Sequence, residues 1–220
     1  MLRGTCHAPR YTARAMKTST STLLALALLL TSHANAAPSA DAAHFSSPAV
    51  GVSIDPPKGW KTLATREVAP ESKNRLPDVQ ILAALRPLEG KPLAEFAKHA
   101  EPYAELNPTI QLNVQPLGGL AGKKLDQMMT RIMLPLRNAH ADFHLIGPMK
   151  DGTVSRLKSL EAIAAYTLTV GPRQYDVRSR IWVVPRGALL FVIAMTDPPK
   201  GRDVAEHEFE AALASIQIEP

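Results

Sequence analysis

The longest uninterrupted apolar run after residue 40 is residues 188–195 (ALLFVIAM), which carries no charge. It is too short to span a bilayer and rich in Val, Ile and Phe, so it predicts a strand buried on both faces at the middle of a sheet. Residues 178–184 alternate ahead of it, and Pro185-Arg186-Gly187 supplies turn chemistry between the two, which predicts a β-hairpin. Residues 162–170 (AIAAYTLTV) predict a further strand, folded back by Gly171-Pro172 onto residues 175–184. Nearer the start, residues 50–54 and 60–65 are predicted strands on either side of the breaker Asp55-Pro56-Pro57-Lys58-Gly59, with Trp60 as a core anchor. Residues 79–85 (VQILAAL) predict a third strand.

From Pro92 the period lengthens. Leu93, Phe96, Ala97, Ala100 and Ala104 share one helical face, predicting a helix that ends by Asn107-Pro108. Residues 109–117 alternate again as a strand. Leu125, Met128, Met129, Ile132 and Met133 fall at helical spacing and predict an amphipathic helix of core residues; a strand is the alternative, and Pro135 stops either. Residues 137–160 show no clear period, and Pro148 and Asp151-Gly152 mark a turn inside them. After residues 197–201 (DPPKG), Asp203 stands three residues before Glu206, a capping-box spacing, and opens a last helix with Val204, Phe209, Ala212 and Leu213 on one face. Residues 215–218 close the chain as a short strand. No internal repeat interrupts the pattern, so residues 50–220 are expected to form one domain.

Residues 1–36 have the features of a secretory signal peptide: Arg3, Arg10, Arg14 and Lys17, then residues 22–30 (TLLALALLL), then Ala34-Asn35-Ala36 as a small-x-small cleavage signal. Cleavage is expected after Ala36, and Met16 is an alternative start because Met16-Lys17 already makes a complete n-region. Residues 37–49 (APSADAAHFSSPA) are expected to be a flexible lead-in. No Cys follows the apolar run and no later segment is long enough to span a bilayer, so neither a lipid anchor nor stable membrane insertion is expected after cleavage. Processing also changes the charge. The full chain has 25 Lys+Arg against 20 Asp+Glu, and removing the four basic leader residues leaves 21 against 20, about +1. A nucleic-acid partner loses its electrostatic support. Cys6, the single cysteine, leaves with the leader, so the mature chain has no disulfide, thiol nucleophile or thiolate ligand.

The residues Pro56-Pro57-Lys58-Gly59-Trp60, the late hairpin with its apolar second strand, and Phe209-Glu210-Ala211-Ala212-Leu213-Ala214-Ser215-Ile216 resemble the PsbP-like superfamily, which includes extrinsic photosystem proteins and secreted bacterial DcrB-like proteins. The resemblance is spread over about residues 50–218, and residues 123–158 match no named pattern within it. It implies an α+β single domain with an antiparallel sheet of about six strands and helices packed on its faces. Members serve mostly as accessory, assembly or binding proteins, and fold by itself does not carry a function across.

Two segments have candidate chemistry. His140, Asp142 and His144 would share one face of a strand, and imidazoles with a carboxylate suit zinc or copper, though one element does not close a site. Arg173, Tyr175, Arg178 and Arg180 lie on one hairpin arm, and Arg178, Arg180 and Trp182 would share a strand face able to meet an anion with aromatic backing. The plain reading of both is a solvated surface, with the long arginine stems covering apolar neighbours. Residues 118–124 (GGLAGKK) fail the phosphate-loop test in glycine spacing and in lacking Ser or Thr after the lysine. No Gly-x-Ser-x-Gly or His-Glu-x-x-His occurs. Catalysis would need Asp142 or another acid to meet a histidine in a closed pocket. The expectation is a non-catalytic accessory or adaptor protein of the bacterial cell envelope that binds an envelope protein and needs no cofactor. The alternatives are a periplasmic small-anion or metal-binding protein, or an immunity protein against an exported toxin.

Overall fold

The computed structural model describes residues 41–88, 90–201 and 203–220. The signal peptide and the first four residues of the expected lead-in lie outside the described residues. In chain order the elements are β1 (Phe45–Ser47), β2 (Val52–Ile54), β3 (Lys61–Thr65), α1 (Asp78–Leu85), β4 (Ala94–Ala97), β5 (Thr109–Pro116), α2 (Leu125–Ala139), β6 (His144–Leu145), β7 (Lys150–Val154), β8 (Leu157–Val170), β9 (Arg173–Arg186), β10 (Leu189–Asp197), α3 (Glu206–Ser215) and β11 (Gln217–Ile218).

Eight strands form one antiparallel sheet in the order β3-β4-β5-β10-β9-β8-β6, with β7 also on β8. The class is α+β as expected, but the sheet has eight strands rather than about six. A separate three-stranded sheet, β1-β2-β11, joins the beginning of the described chain to its end. β10 lies in the middle, and all nine of its residues are buried. Successive side chains of a strand point to opposite faces. Phe191, Ile193 and Met195 therefore enter a core shared with Trp60, Ile81, Leu85 and Phe209. Leu190, Val192 and Ala194 enter a second core closed by Met129, Ile132, Met133 and Leu136 of α2. Between two cores, residues 189–195 have no position left for a polar residue, which is why they form an unbroken apolar run; the buried Thr196 and Asp197 that end the strand are hydrogen-bonded to β9.

Two predicted elements are exchanged. Residues 79–85, expected as a strand, are helix α1: Ile81 and Leu85 are buried four apart while Val79, Gln80 and Ala83 are exposed. The helix expected from Pro92 is strand β4, whose four residues are all buried between β3 and β5, with Ala94 opposite Leu112 and Phe96 opposite Ile110. Both runs are short and mostly apolar, and such runs fit either period; neighbouring strands decide, and the buried Glu95 of β4 accepts from Gln111 of β5 at 2.8 Å.

Smaller corrections follow from packing. The lead-in is not flexible throughout, because Phe45 pairs with Ile54 and Phe45, Ala49 and Val50 are buried. α2 continues past Pro135 to Ala139, which keeps Leu136 on the sheet. Asp151-Gly152 lie inside β7, and the turn is at Ser155-Arg156, both at positive φ (50° and 67°). Asp203 does not cap α3, which has Ala205 before it and no side-chain cap.

The β9–β10 turn requires glycine. Gly187 sits at φ +54°, and a Cβ there would overlap the Asp78 carboxylate, which accepts the Ala188 N–H at 2.7 Å. Gly187→Ala is expected to cost about 1–3 kcal/mol from the left-handed backbone and the displaced carboxylate. Urea unfolding measures this, and a loss under about 0.5 kcal/mol would mean the turn relaxes freely.

Candidate functional site

Arg178 and Arg180 share a face of β9 with Trp182, as the sequence predicts, but the chain itself occupies them. Arg178 donates through Nε and Nη2 to the two carboxylate oxygens of Asp197 at 2.9 and 2.8 Å. Arg180 donates through Nε and Nη2 to Glu161 at 3.0 and 2.9 Å and through Nη1 to Glu210 at 2.7 Å. Its guanidinium carbon lies 5.0 Å from the Trp182 ring centre. The bond to Asp197 holds the Arg178 guanidinium above its ordinary range. Burial pulls Arg180 down, and its bonds to Glu210 and Glu161 outweigh this and leave it raised. Glu206 and Glu210 come from α3, so the protein's own helix covers the face proposed for an anion, and Trp182 is buried beneath it. Arg173 and Tyr175 are farther along β9, where both donate to the Ala104 carbonyl at 2.8 and 3.3 Å.

His140, Asp142 and His144 do not converge. His140 follows the end of α2, packs its ring at a 31° tilt 4.4 Å from that of Tyr166 and donates through Nδ1 to the Thr167 carbonyl at 2.9 Å. Asp142 accepts the Thr167 hydroxyl at 2.6 Å and its backbone N–H as well. His144, exposed on β6, donates to the Asp142 carbonyl. These residues close the edge of β8 just where the two-residue β6 stops, supplying the bonds that a longer strand would make. Among the described residues no group of three His, Cys, Asp or Glu is placed to hold a metal.

This edge cap gives a pH prediction. The Thr167 hydroxyl, then its N–H, holds the Asp142 carboxyl below the usual aspartate range. A lowered folded value means the cap contributes fully above that range and is lost as pH falls through the folded value. An NMR titration should place Asp142 below the exposed aspartates, and Thr167→Val should move it up; an unmoved midpoint contradicts the cap.

One cluster has no sequence signal. His99 and Tyr103 stack with ring centres 4.2 Å apart, and both reach Asp203: His99 Nε2 lies 2.9 Å from Oδ1, and the Tyr103 hydroxyl donates to Oδ2 at 2.7 Å. Asn107 secures the loop, accepting the His99 N–H at 3.0 Å and donating to its carbonyl at 2.9 Å and to Glu101 at 2.7 Å. Beside the cluster is an open cleft of about 480 Å³ lined by Glu105, Leu106, Tyr175, Asp176, Pro198 and Asp203, among others. An acid thus meets a histidine, but it is Asp203 rather than Asp142, in an open cleft and with both carboxylate oxygens engaged. Its chemistry is to fasten residues 99–107 to the segment leading into α3. His99 and Asp203 are 104 residues apart, so no local spacing marks them.

No protein-family model matches the chain, and no curated protein matches it. Solved structures do. The chain is similar to PsbP. The solution structure of cyanobacterial PsbP (CyanoP) from Synechocystis sp. PCC 6803 is 12% identical, with 85% of this chain and 96% of that chain covered and a TM-score of 0.49. LpqN, described as involved in cell envelope biogenesis of Mycobacterium tuberculosis, is 10% identical, with 77% and 83% covered and a TM-score of 0.45. A Pseudomonas aeruginosa protein of unknown function is 12% identical, with 54% and 77% covered and a TM-score of 0.42. CyanoP bears the name of the group that residues 56–60 and 209–216 resemble. At such identities no residue's role passes from these structures to this chain.

Proposed function

We propose that the protein is exported and acts without catalysis, as an accessory protein of the bacterial cell envelope that binds another protein through the open part of its large sheet. The observation that carries this reading is the alternation along β8. Its even positions from Leu160 to Leu168 are buried against α2, whereas Ile163, Ala165 and Thr167 on the opposite face are only half-buried. Ile146, paired with Ile163 at the sheet edge, is 44% exposed. A half-buried strip of Ile163 and Ala165, bordered at the sheet edge by the exposed Ile146, suits a protein partner. The rival small-anion site is weakened by the carboxylates that already occupy Arg178 and Arg180. Export is supported by the basic, apolar and small-residue segments of residues 1–36.

Native mass spectrometry of protein recovered gently from an envelope extract tests both halves. Its mass should begin at Ala37, and retention of Met1 or Met16 contradicts export. A co-purifying protein that Ile163→Asp with Ile146→Asp releases, at unchanged melting temperature, supports the binding face. A bare monomer, or a complex indifferent to both substitutions, overturns it.

A further inference from the structure

Positions 178, 180 and 186 of β9 share a strand face, and all three are arginine. Two of them present the Nε–Nη2 edge of the guanidinium to a carboxylate, Arg178 to Asp197 and Arg180 to Glu161. The third does not. Arg186 is only 6% exposed; its Nη1 donates to the carbonyls of Val50 and Glu219 at 2.9 and 3.0 Å, and its guanidinium carbon lies 4.9 Å from the Phe191 ring centre. Its Nε and Nη2 are buried and have no partner among the described residues. The buried hydroxyl of Ser47 has none either, and Ser47 belongs to the same turn, since its carbonyl accepts the Val50 N–H.

The charges of Asp78 and Glu219 favour the Arg186 cation, but neither carboxylate bonds to it. Asp78 accepts from Arg75 and from the Ala188 N–H, and the Glu219 carboxylate lies against Gly51, where a Cβ would come within 3.0 Å of it. Burial, then the charge of Arg75, pulls the Arg186 guanidinium down, so it is a cation kept out of water with three of its five N–H donors unused. A guanidinium edge of this kind matches a carboxylate bidentately, as Arg178 demonstrates eight positions earlier.

We infer that the Nε–Nη2 edge of Arg186 is a binding point for a carboxylate supplied from outside this chain. Residues 219–220 follow β11 and are exposed, and the Glu219 carbonyl accepts from the neighbouring Nη1, so displacement of this pair is part of the proposed entry. The carboxylate is that of a free small acid or that of an acidic side chain of a polypeptide. The inference does not depend on the sheet-face reading above.

The experiment follows the arginine Nε–Hε NMR signals of the mature protein during titration with sodium formate, with acetyl-aspartyl amide, and with sodium chloride at matched ionic strength. A saturating shift of the Arg186 signal with a carboxylate and not with chloride is expected, together with a rise in melting temperature that Arg186→Met abolishes. Formate alone points to a free small acid, and stronger saturation by the aspartyl amide points to a polypeptide. Should Arg186→Met not fold, the wild-type titration decides. No saturable shift with either carboxylate, or an equal one with chloride, overturns the inference.

Discussion

Asp197→Ala should cost about 3–5 kcal/mol, the range for removing one partner of a buried ion pair. Asp197 is 1% exposed and joins three elements: it ends β10, accepts both donors of the Arg178 edge from β9, and accepts the Ala205 N–H at 2.9 Å ahead of α3. Truncation leaves a part-buried guanidinium and a buried N–H without acceptors, and each carries its desolvation cost uncompensated. In a domain of this size the loss corresponds to a fall in melting temperature of roughly 6–20 °C. Asp197→Asn, which keeps an oxygen for Ala205 but loses the charge, should fall between wild type and Asp197→Ala. The double variant Arg178→Met with Asp197→Leu should lose less than the sum of its singles, because no charge is then stranded. A loss under about 1 kcal/mol for Asp197→Ala would show that water replaces the carboxylate.

Trp60→Ala should be comparably damaging, about 3–5 kcal/mol, through the cavity left by a large core side chain. The indole is 2% exposed, meets the Phe209 ring of α3 edge-on at 6.0 Å and 63°, and follows the turn that its own N–H closes onto Pro57 at 3.1 Å. Unfolding remains visible through the second tryptophan, Trp182, which stays buried in the sheet. A double-mutant cycle with Phe209→Ala should give a coupling of about 0.5–1.5 kcal/mol, the aromatic contact beyond area burial. Zero coupling would mean that the two rings contribute to the core separately.

Both substitutions loosen α3. That helix presents only Phe209 and Ala212 as fully buried residues, so its place on the sheet depends on the partners it meets: Trp60 at the core, and Arg178 and Arg180 through Glu206 and Glu210. That a helix lies here was legible in the sequence, but not that it covers the arginine face. Spacing identifies which side chains share a strand face, and it correctly put Arg178, Arg180 and Trp182 together. It cannot supply the partner across the fold. Glu161 and Asp197 are each 19 residues from their arginines, and Glu210 is 30 residues from Arg180.

The metal candidate in the histidine segment illustrates the same limit. A carboxylate between two imidazoles has the same composition whether it faces a metal or a strand edge. Here β6 stops after two residues, the Thr167 backbone is left open, and the nearest polar side chains turn to it. A backbone group that needs a partner captures side chains that composition alone would assign to a ligand.

By itself the sequence determined the middle of this protein. An apolar run without a polar position means burial on both faces, and alternation along residues 109–117, 162–170 and 178–184 means strands with distinct sides; Trp60 and the methionine stripe of α2 were legible for the same reason. Only the tertiary structure decided whether the short apolar runs at 79–85 and 94–97 became helix or strand, since each satisfies both periods and the choice belongs to whichever neighbours complete its backbone hydrogen bonds. It alone also decided which arginines were already paired. Charge pairing across a sheet is a property of register, and register is set by the whole core rather than by the residues that carry the charge.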